Sequence, residues 1–150
     1  MNGIYYTYNN EAIASCVFIS VLREIGSIDV ARSCLILPFL LDDKTVSYLK
    51  DCNVGEEKLS EIIREQRRLF ISFNKRYLAL LPVSINALLL LNKGGQISIG
   101  KKIFDTSNLD FNQVNFGNRF SAIQKAIPNF LILTENLSTV QLYQLLKIEL

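Results

Sequence analysis

The run L-A-L-L-P-V-S-I-N-A-L-L-L-L at residues 78–91, followed directly by N-K-G-G, narrows the choice of fold more than any other stretch. Upstream of it, residues 57–81 read as one long amphipathic helix. At about 100° per residue, Leu59, Ile62, Ile63, Leu69, Phe70, Phe73, Tyr77, Leu80 and Leu81 fall on one side. Glu57, Arg64, Arg67, Arg68 and Lys75 fall on the other. Pro82 is expected to break this helix. Residues 83–91 then form a second helix with so little polar surface that it should be buried. The segment Q-I-S-I-G-K-K-I-F at residues 96–104 alternates as two short strands should, with the tight connection at Gly100-Lys101. Helix, helix and hairpin in that order close a winged-helix unit. The fold class expected is mainly α with a small β part (α+β): a winged-helix-like core of amphipathic helices plus a β-hairpin.

The remaining segments read as further short elements. Asn9 or Asn10 can cap a helix over residues 11–25, in which Ile13, Val17, Val21 and Ile25 form one row. Gly26 is placed to end it. Residues 27–33 read as a linker. The apolar run C-L-I-L-P-F-L-L contains Pro38, which argues against a central strand and for a buried extended segment entering a turn. Asp42-Asp43 caps a short helix at 44–50, and Glu56-Glu57 gives the long helix an acidic start. Residues 105–115 read as a loop. A helix at 116–127 should close at Pro128, with residues 130–134 continuing it or running extended. Ser138 and Gln141 make a capping box for the last helix, with a short strand after it at 147–150. The length of 150 residues suits one domain with a helical N-terminal part (9–50), the central unit (57–104) and C-terminal helices (116–150).

Composition limits the chemistry. The chain is 49% hydrophobic and 20% charged, with a net charge of +2, so it is globular and carries no strong overall attraction for nucleic acid. It has no histidine, which removes the commonest general base and the usual triads. Cys16, Cys34 and Cys52 lack metal-ligand spacing and fit buried thiols of a reducing cytoplasm. No catalytic residue, cofactor-binding residue or metal ligand is expected, and no segment reads as a leader or a membrane span. The pattern G-x-x-x-x-G-K at residues 95–101 imitates a phosphate loop. It follows a helix, alternates like a strand, and has Lys102 where magnesium needs a hydroxyl. The acidic pairs sit at element starts, where capping accounts for them.

One charged constellation has a possible partner. Arg64, Arg67, Arg68 and Lys75 share a predicted helix face, with Arg76 at its edge and Lys101 and Lys102 at the hairpin. Such a face can grip phosphates of a nucleic acid or contact a partner subunit. The plain alternative is a solvated face laced by neighbours such as Glu57 and Glu61. Apolar contact is expected from Tyr5, Tyr6, Tyr8, Phe111 and Phe116, and from Leu142 and Tyr143 in the last helix.

The order of these signals resembles the middle component of three-component ABC-ATPase defence systems, the group that includes Lamassu-type systems. Tyr8-Asn9-Asn10-Glu11-Ala12 is similar to that family's opening. The stretches L-I-L-P-F-L-L-D-D-K-T-V-S-Y-L (35–49), K-R-Y-L-A-L-L-P-V-S-I-N-A-L-L-L-L-N-K-G-G-Q-I-S-I (75–99) and L-S-T-V-Q-L-Y-Q-L-L-K-I-E-L (137–150) are similar to its later blocks. The chain departs from the pattern at Lys44-Thr45, where Thr-Arg would stand. The resemblance implies a non-catalytic, cytoplasmic adaptor in antiviral and antiplasmid defence. It implies two partners, an SMC/Rad50-like ABC ATPase and a nuclease-like effector that is kept inactive until foreign DNA is sensed, with DNA reached through the complex. The other reading is a stand-alone winged-helix DNA-binding regulator. A regulator needs polar base-reading side chains before the hairpin, where only Ser84 and Asn86 are on offer.

Overall fold

The computed structural model describes residues 10–55, 58–109 and 116–150. Its first helix, α1 (Glu11–Ile25), begins where Asn10 Oδ1 accepts from the amides of Ala12 and Ile13. It ends at Gly26, whose φ of 78° lies in the region where a side chain is strained. The Gly26 amide returns to Leu22 O at 2.7 Å, and its carbonyl accepts from Asp105 N, so the cap also seats the sheet. Gly26→Ala is expected to cost about 1 kcal/mol, read as a lower urea midpoint at unchanged slope.

The expected linker at 27–33 is instead a strand, β1 (Ser27–Asp29), and a helical turn, α2 (Val30–Ser33). Sequence alone did not show the strand, because three residues carry no period and their partner lies far along the chain. The Pro38 run is buried as expected but helical, as α3 (Ile36–Leu40). A buried extended segment with no neighbouring strand leaves its amides and carbonyls unpaired, whereas a helical turn pairs them locally. Pro38 sits in the first turn, where an amide proton is dispensable. Asp42 caps α4 (Asp43–Asp51) through Thr45 N, as the sequence indicated.

The long helix expected over 57–81 is broken twice. It comprises α5 (Leu59–Glu65) and α6 (Arg67–Phe70), with Gln66 between them at φ −104° and ψ 48°. After Ser72, α7 (Phe73–Lys93) begins. The guanidinium of Arg76 fills the second break. It donates to Leu69 O at 2.9 Å, the carbonyl that the broken helix no longer pairs, and also to Ser72 Oγ at 3.3 Å and to Pro38 O of α3 at 3.2 Å. Glu56 and Glu57, read as the acidic start, lie outside the described residues.

Two prolines expected to end helices do not. Helix α7 runs through Pro82, and α8 (Asn118–Thr134) runs through Pro128. In each, buried side chains continue in one stripe across the proline. They are Leu80, Val83, Ala87 and Leu88 in α7, and Ile123, Ile127, Phe130 and Leu133 in α8. Keeping that stripe in place outweighs the roughly 3 kcal/mol that an internal proline costs. Both prolines are exposed, so water reaches the backbone they leave unpaired. Helix α7 closes in a Schellman turn, with Gln96 N on Leu91 O and Gly95 N on Asn92 O, and with Gly95 at φ 75°.

The hairpin follows as expected, with β2 (Ile97–Ile99) antiparallel to β3 (Lys102–Asp105). β1 pairs on the far side of β3, giving the order β1-β3-β2. The fold is therefore mainly α with a small antiparallel sheet. The last helix, α9 (Thr139–Leu145), carries the expected Ser138–Gln141 capping box. After it, residues 147–150 form no strand, and Lys147 takes a φ of 56°.

α4 lies along α8, and α1 along α7. One hydrophobic core collects side chains from both pairs, from the sheet and from α9. Phe39 sits among Phe73, Phe130 and Phe70, with ring centroids 4.9, 5.0 and 6.0 Å away.

Candidate interaction surfaces

Helix α7 is not buried all round, as its sequence led one to expect. Leu78, Ile85, Leu89 and Leu90 are 46–59% exposed, and Pro82 stands among them. Leu78, Pro82, Ile85 and Leu89 follow one another at alternating spacings of four and three residues. They therefore form a continuous outward row, the spacing by which one helix packs along another. Lys75 and Lys93 flank the row, and α7 contains no acidic residue. The signal was present in the sequence. Leu78 falls off the apolar face that Phe73, Tyr77 and Leu80 define, so a leucine there points away from the core. The unbroken run of leucines hid it.

The two polar side chains that could read bases from this helix are not free to do so. Ser84 is fully buried, and Asn86 Nδ2 donates to Glu11 Oε1 at 3.3 Å.

The structure divides the predicted basic face. Arg64 lies in α5, Arg67 and Arg68 in α6, and Lys75 in α7, with a break between each pair of helices. All four are exposed, and none has a side-chain ion pair or hydrogen bond among the described residues. Glu61, read as their neighbour, instead closes the N-terminus of α5 by accepting from Lys58 N at 3.4 Å. Arg64 and Arg67 line one groove together with Lys147. Arg67 and Arg68 border a second hollow with Glu65. Lys101 and Lys102 are exposed at the hairpin, and Lys102 borders a third depression that includes Asp29 and Arg32. Helix and hairpin cations therefore share none of these hollows.

Among the predicted apolar contacts, Tyr5, Tyr6, Tyr8 and Phe111 lie outside the described residues. Phe116 is 45% exposed beside the ring of Phe120. Leu142 is only 1% exposed, so it is a core residue here and not a contact surface. It lies one turn from Leu146 and turns with it into the core. Tyr143 is half-buried and occupied within the fold. Its hydroxyl donates to Ala31 O at 2.6 Å and lies 3.1 Å from Tyr77 Oη. Burial and the adjacent Tyr77 hydroxyl hold its phenol well above the ordinary range.

Cys16, Cys34 and Cys52 are half-buried thiols outside any disulfide, and burial pushes the Cys16 and Cys34 thiols up. Both stay protonated at neutral pH, the weakly nucleophilic form. Among the described residues, no group of three or more acidic or cysteine side chains could hold a metal ion, and no helix is long and apolar enough to cross a membrane.

No curated protein and no solved structure matches this chain. A family of known description does, over residues 4–150. That span takes in the α7 row, the broken basic segment and the sheet. The chain belongs to the family described as ABC-three component (ABC-3C) system Middle Component 3.

Proposed function

We propose that this middle component is a non-catalytic adaptor of a prokaryotic defence complex. It bridges an SMC/Rad50-like ABC ATPase and a nuclease-like effector in the cytoplasm, and it restrains the effector until foreign DNA is sensed. Family membership supports a role among the other components of such a system. The observation that carries the protein-binding part is the outward row of α7. A helix that exposes Leu78, Ile85, Leu89 and Leu90 to water gains by being covered, and leucine and isoleucine give a base edge no hydrogen bond.

The alternative, a stand-alone winged-helix DNA binder, draws support from the strand order β1-β3-β2 with a helix leading into the hairpin. It is disfavoured by that same helix, whose outward face is apolar, with Ser84 buried and Asn86 already bonded.

The test is co-expression of the tagged chain with the other components of its own operon, followed by affinity recovery and mass photometry. The wild type is expected to bring down the ATPase and the effector. Leu89→Asp combined with Ile85→Asp should weaken recovery by roughly 100-fold, at about 1–2 kcal/mol per position, with the melting temperature little changed. A chain that elutes alone and shifts duplex DNA in a salt-dependent manner would replace the adaptor with the regulator.

A further inference from the structure

We infer that the groove between α5–α6 and the end of α9 is a docking site for an acidic peptide segment of a partner, one that carries bulky aliphatic or aromatic side chains. The proposal rests on the adaptor reading and names the chemistry of one of its contacts.

The groove has a volume of about 580 Å³ and opens to solvent. Three cations line it, each from a different place: Arg64 in α5, Arg67 in α6 and Lys147 just beyond α9. Among the described residues no carboxylate lines it, and none of the three cations is paired. The turn at Gln66 sets the direction in which α6 continues from α5, and both helices border the groove. Lys147 reaches it from a left-handed backbone conformation that residues with side chains rarely adopt.

Beside the three cations the lining is mainly apolar, with Ile63, Phe70, Ile71, Leu145 and Leu146, and Ser60 and Asn74 complete it. Ile71 is 72% exposed, more than any other large apolar side chain among the described residues except Leu150, and Ile63 and Leu145 are half-buried beside it. A nucleic-acid backbone has no use for aliphatic wall, and it needs cations continued along a track. Lys101 and Lys102 do not extend this groove. Unpaired guanidinium and ammonium groups around exposed Ile71 and half-buried Ile63 and Leu145 fit carboxylates that alternate with apolar side chains.

The experiment uses the assembled complex with the photo-crosslinking residue benzoylphenylalanine placed at position 71. Irradiation and peptide mapping are expected to give an adduct in a segment of another component where Asp or Glu flanks an apolar residue. The triple variant Arg64→Glu, Arg67→Glu, Lys147→Glu should lower adduct yield by roughly tenfold or more, while Lys125→Glu on α8 leaves it unchanged. Replacing the partner's mapped carboxylates with lysine should restore adduct formation to the triple variant. Thermal melts of each variant identify loss of folding. An adduct with nucleic acid, an adduct with a neutral or basic segment, or an intact complex with no adduct at position 71 overturns the groove proposal and leaves the adaptor standing. If the wild-type chain recovers no other component, both fall.

Discussion

Replacing Phe39 with alanine is expected to lower the free energy of unfolding by about 3–5 kcal/mol. Phe39 is 1% exposed and stands where α3, α6, α7 and α8 meet. Its ring is edge-on to Phe73 at 4.9 Å and to Phe70 at 6.0 Å, and tilted against Phe130 at 5.0 Å. Removing the ring takes away its own burial and leaves a space that three other rings cannot all fill. Four helices contribute to that junction, so no single helix can shift to close it without opening another contact. Phe39→Leu should cost less than half as much, because most of the volume is retained. Urea unfolding followed by far-ultraviolet circular dichroism checks both variants. A loss below about 1 kcal/mol for Phe39→Ala would show that the junction relaxes freely, contrary to its close packing.

The second large effect is expected from Arg32. Its side chain reaches from α2 to the far end of α8. Nη1 donates to Thr134 O at 3.3 Å, Nη2 to Leu137 O, and Nε to Thr139 Oγ1 at 3.2 Å. Thr139 Oγ1 in turn donates to Asp29 Oδ2 at 2.6 Å, and Asp29 Oδ1 accepts from Arg32 N at 2.7 Å, which closes the network. A cation here satisfies carbonyls at the C-terminus of α8 and sits at the negative end of that helix dipole. Arg32→Ala removes three donors together and should cost about 2–3 kcal/mol, a fall in Tm of roughly 5–10 °C for a chain of this size. Arg32→Lys supplies one ammonium in place of a planar fork and should recover less than half of the loss. Full recovery by lysine would mean that charge alone, and not the three-way geometry, holds the α8–α9 corner to the sheet.

The two central residues differ in how visible they were beforehand. Phe39 sits in an apolar run whose burial is plain from composition. Arg32 sits in a stretch that reads as a linker, and its three acceptors lie more than a hundred positions away.

Signals carried within a few residues settled the local elements. Asn10, Asp42 and the Ser138–Gln141 pair start helices where expected, because a cap needs only its own side chain and the next amides. Gly26 ends α1 and Gly95 closes α7, because each needs only a backbone free to adopt positive φ. The strand alternation of residues 97–104 likewise needs nothing distant.

Tertiary packing decided the rest. It carried α7 and α8 through Pro82 and Pro128, because a buried stripe on both sides outweighs one missing amide proton. It broke the residue 57–81 helix at Gln66 and again before Phe73, where Arg76 takes up the Leu69 carbonyl. It paired β1 with β3 across more than seventy residues. The interaction surfaces follow the same division. The sequence supplied Arg64, Arg67 and the leucines of α7. The helical period already set Leu78 off the core face, but only the three-dimensional chain could take Leu142 into the core and bring Lys147 to the two arginines. Proximity between distant segments is a property of the packed whole, and no local period encodes it.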